Sequence, residues 1–275
     1  TQIYTRSLHD ALPISSPPEL AVDLYRAIHR AVGSDDPYAA IKAAGNEAAL
    51  SVYPDLVTRL RRAEDPLETA VRIAILGNII DYGANAGLDL KREISKILRE
   101  EDRTIAREEA RLVDLEGFRS ALGAARELLY LGDNAGEIVF DRILIECLSR
   151  LYPELKIRFA VRGRPIINDA TLEDAAAVGM DALCEVVDSG SPAPGAVLGL
   201  CTPEFRSLLE RADLVISKGQ GNYEALSGSP YPVYFLLRVK CAVLAAHIPA
   251  ERGSVCLFRE RPTRTTTGGR GCRCG

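Results

Sequence analysis

Residues 127–137 read ELLYLGDNAGE, an apolar run closed by Gly132, then a polar, glycine-rich turn. Helical spacing follows over 136–150. A buried strand, a tight turn and a helix in that order form the unit from which parallel sheets are wound. The same alternation recurs downstream, with β-rich runs KIRFAVRG (156–163), LCEVVDSG (183–190), DLVISKG (213–219) and VYFLLRVK (233–240). Between them, 171–179, 203–211 and 221–227 carry helical spacing, and Thr171-x-x-Asp174 reads as a capping box. Five strands separated by helices predict an α/β fold: a Rossmann-like three-layer α/β/α core with a mostly parallel sheet.

Upstream the period changes. From about Glu19 to Arg126 apolar residues recur every three to four positions, as in Leu20, Leu24, Ile28 and Val32, and in Leu67, Ala70, Val71, Ala74 and Ile75. Pro66 belongs at a helix opening and Gly83 at a stop, which predicts a helix over roughly 66–82. The expected organisation is an N-terminal helical subdomain over 18–126 and a catalytic α/β core over 127–258. The two ends do not read as folded protein. Residues 1–17 show no periodicity and no signal-peptide pattern, and LHDALPI resembles translated sequencing adapter, so this stretch is expected to be artefact or disorder. Residues 259–275, rich in Arg, Thr and Gly, are expected to be a disordered or artefactual tail.

Composition removes several classes of function. The chain has 275 residues, 47% of them apolar, enough for one large or two modest domains. With 34 Lys+Arg against 38 Asp+Glu the formal net charge is -4, so no global basic field draws it to nucleic acid. No stretch reaches the length of an uncharged membrane span, so no membrane partner is expected. Seven scattered cysteines read as small buried hydrophobes of a reducing, cytoplasmic protein.

Polar segments follow three of the strands: Gly132-Asp133-Asn134-Ala135-Gly136-Glu137, Asn168-Asp169-Ala170-Thr171 and Lys218-Gly219-Gln220-Gly221-Asn222. In a parallel sheet all three lie on the rim formed by the strands' carboxyl ends, where open α/β sheets bind ligands. Asp133, Asn134 and Asp169 would then offer three hard oxygen donors, suited to Mg2+ or Mn2+ rather than zinc. The competing reading has each of them merely capping a helix. Gly219-x-Gly221 is half a phosphate loop; with Lys218 beside it the segment would bind a phosphoryl oxygen, and Lys240 adds a second cation on the same rim. Either lysine could instead be a solvated loop charge. Glu137 could handle a proton or cap its helix. Asn78 and Asp81, one turn apart in the apolar helix ILGNIIDYG (75–83), are expected to face the cleft between the two halves or to pair with neighbouring helices.

At YLGDNAGEIVFDRILIE (130–146), VRGRPIINDATLEDAAAVGMD (161–181), ADLVISKGQGNYEAL (212–226) and FLLRVKCAVLA (235–245) the chain resembles the damage-control phosphatases, metal-dependent enzymes long catalogued as a family of unknown function, in their stand-alone prokaryotic branch. The resemblance spans about 20–258 and includes the GNIIDYGAN stretch. It implies hydrolysis of phosphomonoesters of small, sugar-derived or damaged metabolites with Mn2+, Co2+, Ni2+ or Mg2+. By position, Asp133, Asn134 and Asp169 match the metal ligands. Gln220, Gly221, Asn222, Tyr223 and Lys240 match substrate-contacting positions, and Lys218 belongs to the same loop. A CxxC-type pair expected near the start of that branch is not present here. The expected chemistry has Asp133, Asp169 and Lys218 at the reacting group, and Asn78, Asp81, Glu137, Asn168 and the 220–223 segment around the substrate. Two rivals are a methyltransferase using S-adenosylmethionine, which would need a glycine-rich loop this chain lacks, and a non-catalytic sugar-phosphate sensor.

Overall fold

The structure, a computed structural model, describes residues 17–77 and 112–260. Three helices come first: α1 (Pro17–Val32), α2 (Ala39–Arg61) and α3 (Pro66–Gly77). After the undescribed residues come β1 (Leu112–Val113), α4 (Leu115–Ala124), β2 (Glu127–Leu131), α5 (Glu137–Leu151), β3 (Lys156–Val161), α6 (Leu172–Ala177) and β4 (Glu185–Asp188). Then follow α7 (Pro203–Arg211), β5 (Leu214–Lys218), α8 (Gly219–Leu226), β6 (Val233–Arg238), α9 (Ala242–His247) and β7 (Val255–Arg259).

The strands form one seven-stranded sheet in the order β1-β7-β6-β5-β2-β3-β4. Every pairing is parallel except β6 with β7. The α/β, mostly parallel, doubly wound expectation is therefore met. The strand order reverses at β2, which has β3 on one side and β5 on the other, and a crevice opens at such a switch point.

Strand alternation sends Leu128, Tyr130, Leu214 and Ile216 into one apolar cluster with Leu56, Leu67, Ile73 and Phe140 of α2, α3 and α5. Leu129, Leu131 and Val215 enter a second cluster with Phe205, Tyr223 and Leu244 of α7, α8 and α9. These two clusters are the two faces of the sandwich. The helices α2 and α3 thus supply one of its layers and share its core.

Three details differ from the sequence reading. β1 lies in the stretch expected to be purely helical, and it joins the sheet through β7. Arg259 and Glu260, expected in the tail, are ordered: Arg259 pairs with Tyr234 and Glu260 accepts from Ser227 Oγ and the Gly228 amide, both at 2.8 Å. Leu20, Leu24 and Val32 are exposed on α1 among the described residues. Residue 17 opens α1; the rest of the 1–17 expectation, Asn78, Asp81 and the end of the 66–82 helix lie outside the described residues.

Candidate functional site

Backbone hydrogen bonds zip the turns after β2 and β3 together. Gly132 N donates to Ala160 O at 2.9 Å, Ala170 N to Asp133 O at 2.8 Å, and Ala135 N to Asn168 O at 2.8 Å. An antiparallel bridge joins Asn134 to Asp169. Two chain segments 36 positions apart in sequence are thereby locked so that Asp133, Asn134 and Asp169 converge at the switch point. Just before them Ile167 sits at φ 47°, a conformation costly for a β-branched residue, which aims Asn168 and Asp169 back over the rim.

The third segment approaches as closely as its glycines allow. Gly219 has φ 77°, and a Cβ there would stand 1.9 Å from Asp133 Oδ2. At Gly221 a Cβ would meet Pro194 O at 1.8 Å. Glycine lets the first turn of α8 rest against the carboxylate. The result is a cleft of about 260 Å3 lined by Asp133, Asn134, Asn168, Asp169, Gln220, Gly221 and Lys240, among others.

Arg162, which the sequence reading passed over, is buried behind the acids. Its Nε donates to Asp169 Oδ2 at 2.6 Å and its Nη2 to Asp133 Oδ1 at 3.3 Å, one oxygen of each carboxylate. Asn134 Nδ2 donates to Asp133 Oδ2 at 3.2 Å and to Glu137 Oε2 at 3.4 Å. Glu137 Oε1 meets Lys218 Nζ at 2.7 Å, and Lys218 reaches Asp141 Oδ1 at 2.6 Å and Ala74 O at 2.8 Å. Tyr130 Oη donates to the same Asp141 oxygen at 2.8 Å. One polar chain therefore runs from the rim into the layer between sheet and helices.

The electrostatics of this chain are unbalanced. Asp133, Glu137, Asp141 and Asp169 are four buried carboxylates, and Arg162 and Lys218 are the two buried cations that touch them. Burial, then Asp169 and Glu137, push the Asp133 carboxyl well above its ordinary value, with Arg162 and Lys240 pulling the other way. Burial likewise raises Asp169 against the pull of Arg162. Asp141 is raised by burial to about 6 although Lys218 opposes it. At the cleft itself two acids share the single buried cation Arg162, so their formal charges do not balance, and Asp133, Asn134 and Asp169 supply oxygen donors to its lining. Both properties fit Mn2+, Co2+, Ni2+ or Mg2+ at Asp133, Asn134 and Asp169. Among the described residues no group of three or more His, Cys, Asp or Glu is placed to hold a metal; this set has two carboxylates and an amide.

Other predicted residues are placed differently. Lys218 is wholly buried, and its three contacts account for the three protons of an ammonium. Burial would lower its pKa, but Asp141 and Glu137 hold it above the ordinary lysine value. It therefore points away from the cleft, on the face shared by Leu214 and Ile216. Asn222 is also buried: its Nδ2 donates to Gly132 O and Lys218 O at 3.1 and 2.8 Å, and its Oδ1 accepts from Ala196 N at 2.9 Å. It pins three loops together. Tyr223 packs edge-on against Phe235 in the second apolar cluster. Gln220, which donates to Glu224 Oε1 at 2.6 Å, and exposed Lys240 do line the cleft. From the opposite layer, Asn46 of α2 accepts from Gly136 N at 2.6 Å, and buried Lys42 pairs with Asp174 at 2.8 Å. The Thr171–Asp174 capping box is present.

Fold and site together define a Rossmann-like α/β protein with an acid-lined crevice at the switch point of its sheet. The sequence profile of the damage-control phosphatase ARMT1-like domain matches residues 4–255, and the chain belongs to that family. It is 36% identical over 249 residues to a damage-control phosphatase of Archaeoglobus fulgidus, covering 90% of this chain and 83% of the relative. It is 32% identical over 240 residues to one of Pyrococcus horikoshii, covering 86% and 79%. A crystal structure of a DUF89 family protein from Pyrococcus horikoshii superposes with a TM-score of 0.76 at 31% identity, over 87% of this chain and 81% of that one.

Proposed function

We infer that this chain is a metal-dependent phosphatase acting on phosphomonoesters of small, sugar-derived or damaged metabolites. The observation that carries the reading is that Asp133 and Asp169, two buried carboxylates sharing one cation, Arg162, line a crevice in a chain of the damage-control phosphatase family. Asp133, Asn134 and Asp169 would hold the divalent ion. Bound there, it supplies charge neutralisation at the phosphoryl group and acidifies a water.

The protein's own groups do the rest. Arg162 engages one oxygen of each aspartate and so fixes both carboxylates. The first-turn amides of α8 have no acceptor within the helix, and with Lys240 they present positive potential to an ester phosphate entering the crevice. Gln220 and Asn168 line the walls and orient the alcohol portion. Lys218 acts from beneath, holding Glu137 and through it Asn134. Five described cysteines are free thiols, which suits a reducing, cytoplasmic setting.

The test is phosphate release from a panel of sugar phosphates by chelator-stripped protein reloaded with Mn2+, Co2+, Ni2+, Mg2+ or Zn2+. Release that returns with the first four and poorly with Zn2+ is expected. Undiminished release after stripping would refute the metal requirement. Labelled methyl transfer from S-adenosylmethionine without phosphate release would establish the methyltransferase instead, and tight binding without turnover a sensor.

A further inference from the structure

A second cleft, of about 970 Å3, lies beside the first. Tyr25, Arg26, Arg30 and Asp35 line it from α1 and the turn after it, and Arg164 and Ile166 from the loop that leaves β3. The chain as a whole is acidic, at -4, yet three arginines face one aspartate here. Arg26 is held by Asp23 at 2.9 Å. Among the described residues neither Arg30, whose Nε donates to Arg26 O at 3.4 Å, nor Arg164 pairs with a carboxylate, so two guanidinium groups line the cleft without an anionic partner.

The two clefts share one loop. Arg164 and Ile166 face the larger one, and Ile167, Asn168 and Asp169 face the crevice. Five residues span at most about 18 Å when extended, and here a turn shortens the path, since Asp169 N donates to Ile166 O at 3.0 Å. Tyr25 is close enough for the Asp169 charge to contribute to raising its phenol pKa, after burial and Tyr38. A ligand with its ester phosphate in the crevice would thus extend over Ile166 toward Arg30 and Arg164.

Building on the phosphatase reading, we propose that this cleft receives a second anionic group of the substrate, a phosphate or carboxylate, so that the preferred esters carry acidic groups at both ends. The arginines act in binding and selection, and the chemistry stays at the crevice.

The experiment compares a hexose 6-phosphate with the matching hexose 1,6-bisphosphate on wild type and on an Arg30→Gln/Arg164→Gln double variant. Both residues are exposed, so an unchanged melting temperature verifies the fold. For the Mn2+-loaded protein kcat/KM should favour the bisphosphate by about tenfold, a typical worth of charge-assisted contacts. The double variant should lose that preference while its turnover of the monophosphate is unchanged. Equal efficiency toward both esters in wild type, or an equal loss for both in the variant, would overturn the proposal and leave the phosphatase reading standing. Faster monophosphate hydrolysis on adding inorganic phosphate would also overturn it, by making the cleft a site for a separate anion. Calorimetry of the bisphosphate on chelator-treated protein supplies an arm without turnover. If neither ester is hydrolysed but bisphosphate binding still depends on Arg30 and Arg164, the phosphatase reading fails and the anion cleft survives.

Discussion

Two charged clusters occupy the same end of the sheet and have opposite fates. On the rim, Asp133 and Asp169 face a cleft and share one cation, Arg162. Beneath them, Asp141 and Glu137 share Lys218, with Tyr130 and Ala74 completing the set, and none of the three ionic groups is more than 1% exposed. Each has two carboxylates to one cation, yet only the first has an opening through which a further cation can arrive. Composition alone does not make a site. A buried excess of charge becomes functional where it meets solvent and structural where it is sealed.

The largest expected effect breaks the sealed cluster. Lys218→Met removes the partner of two buried carboxylates and should cost about 3–5 kcal/mol of stability, the usual penalty for orphaning a buried charge. Denaturant unfolding measures it. A variant that stays near wild-type stability and merely raises KM would return Lys218 to the phosphate-binding role that its position in the loop first suggests.

The open cluster should answer with the opposite sign. Asp169→Asn or Asp133→Asn removes a charged ligand and is expected to lower phosphate release at least about a hundredfold, comparable to removing one electrostatic stabiliser of a transition state. In chelator, however, the same variants should melt at or above wild type, because each deletes a carboxylate whose ionisation the fold opposes. Wild-type turnover with metal still bound would dissolve the site.

The difference between the two clusters was only half legible beforehand. Alternation of strand and helix periods exposed the sheet and hence the rim, because both faces of parallel strands are apolar and their ends carry the polar turns. β1 is not legible because two residues carry no period, and β7 because VCLF (255–258) runs straight into an arginine-rich end. Arg162 closes a strand and looks like a solvated terminator; its burial follows from the folding back of the 164–171 loop, which no local pattern announces. Lys218 was decidable. Strand alternation places it with Leu214 and Ile216, toward α3 and α5, where Asp141 already stood in an apolar helix as an acid in need of a partner. Asn222 and Tyr223 lie on a helix whose buried face could be assigned only after its packing was known.

Titration sharpens the comparison further. In the metal-free protein Asp141 is held at about 6, and Asp133 and Asp169 lie above their ordinary 3.8. Between those values the folded chain binds more protons than the unfolded one. Stability should therefore rise as pH falls through about 6 toward 4, by about 1 kcal/mol per pH unit, and a saturating divalent ion should flatten or invert the trend. Melting temperatures at pH 7 and 5, with and without chelator, supply the check. A metal-free protein that loses stability over that interval would mean the carboxylates are already compensated.

The smallest effect belongs to Lys240, the cation at the mouth of the open cluster. It is exposed, so replacing it leaves no buried partner orphaned, and Lys240→Met should not move the melting temperature measurably. Its field nevertheless reaches Asp133, one of the charges that pull that carboxyl down. An ester phosphate entering the crevice would feel the same ammonium across water, where a single partly screened charge is worth about 1 kcal/mol or less. The expected outcome is a few-fold loss in kcat/KM that fades as salt is raised, since screening removes in the wild type what the substitution removes in the variant. Metal affinity should shift slightly upward, because one repelling positive charge has gone. A loss that persists at high salt would instead make Lys240 a direct, desolvated contact of the phosphoryl group, and would move the boundary of the site from the three oxygen ligands out to the start of α9.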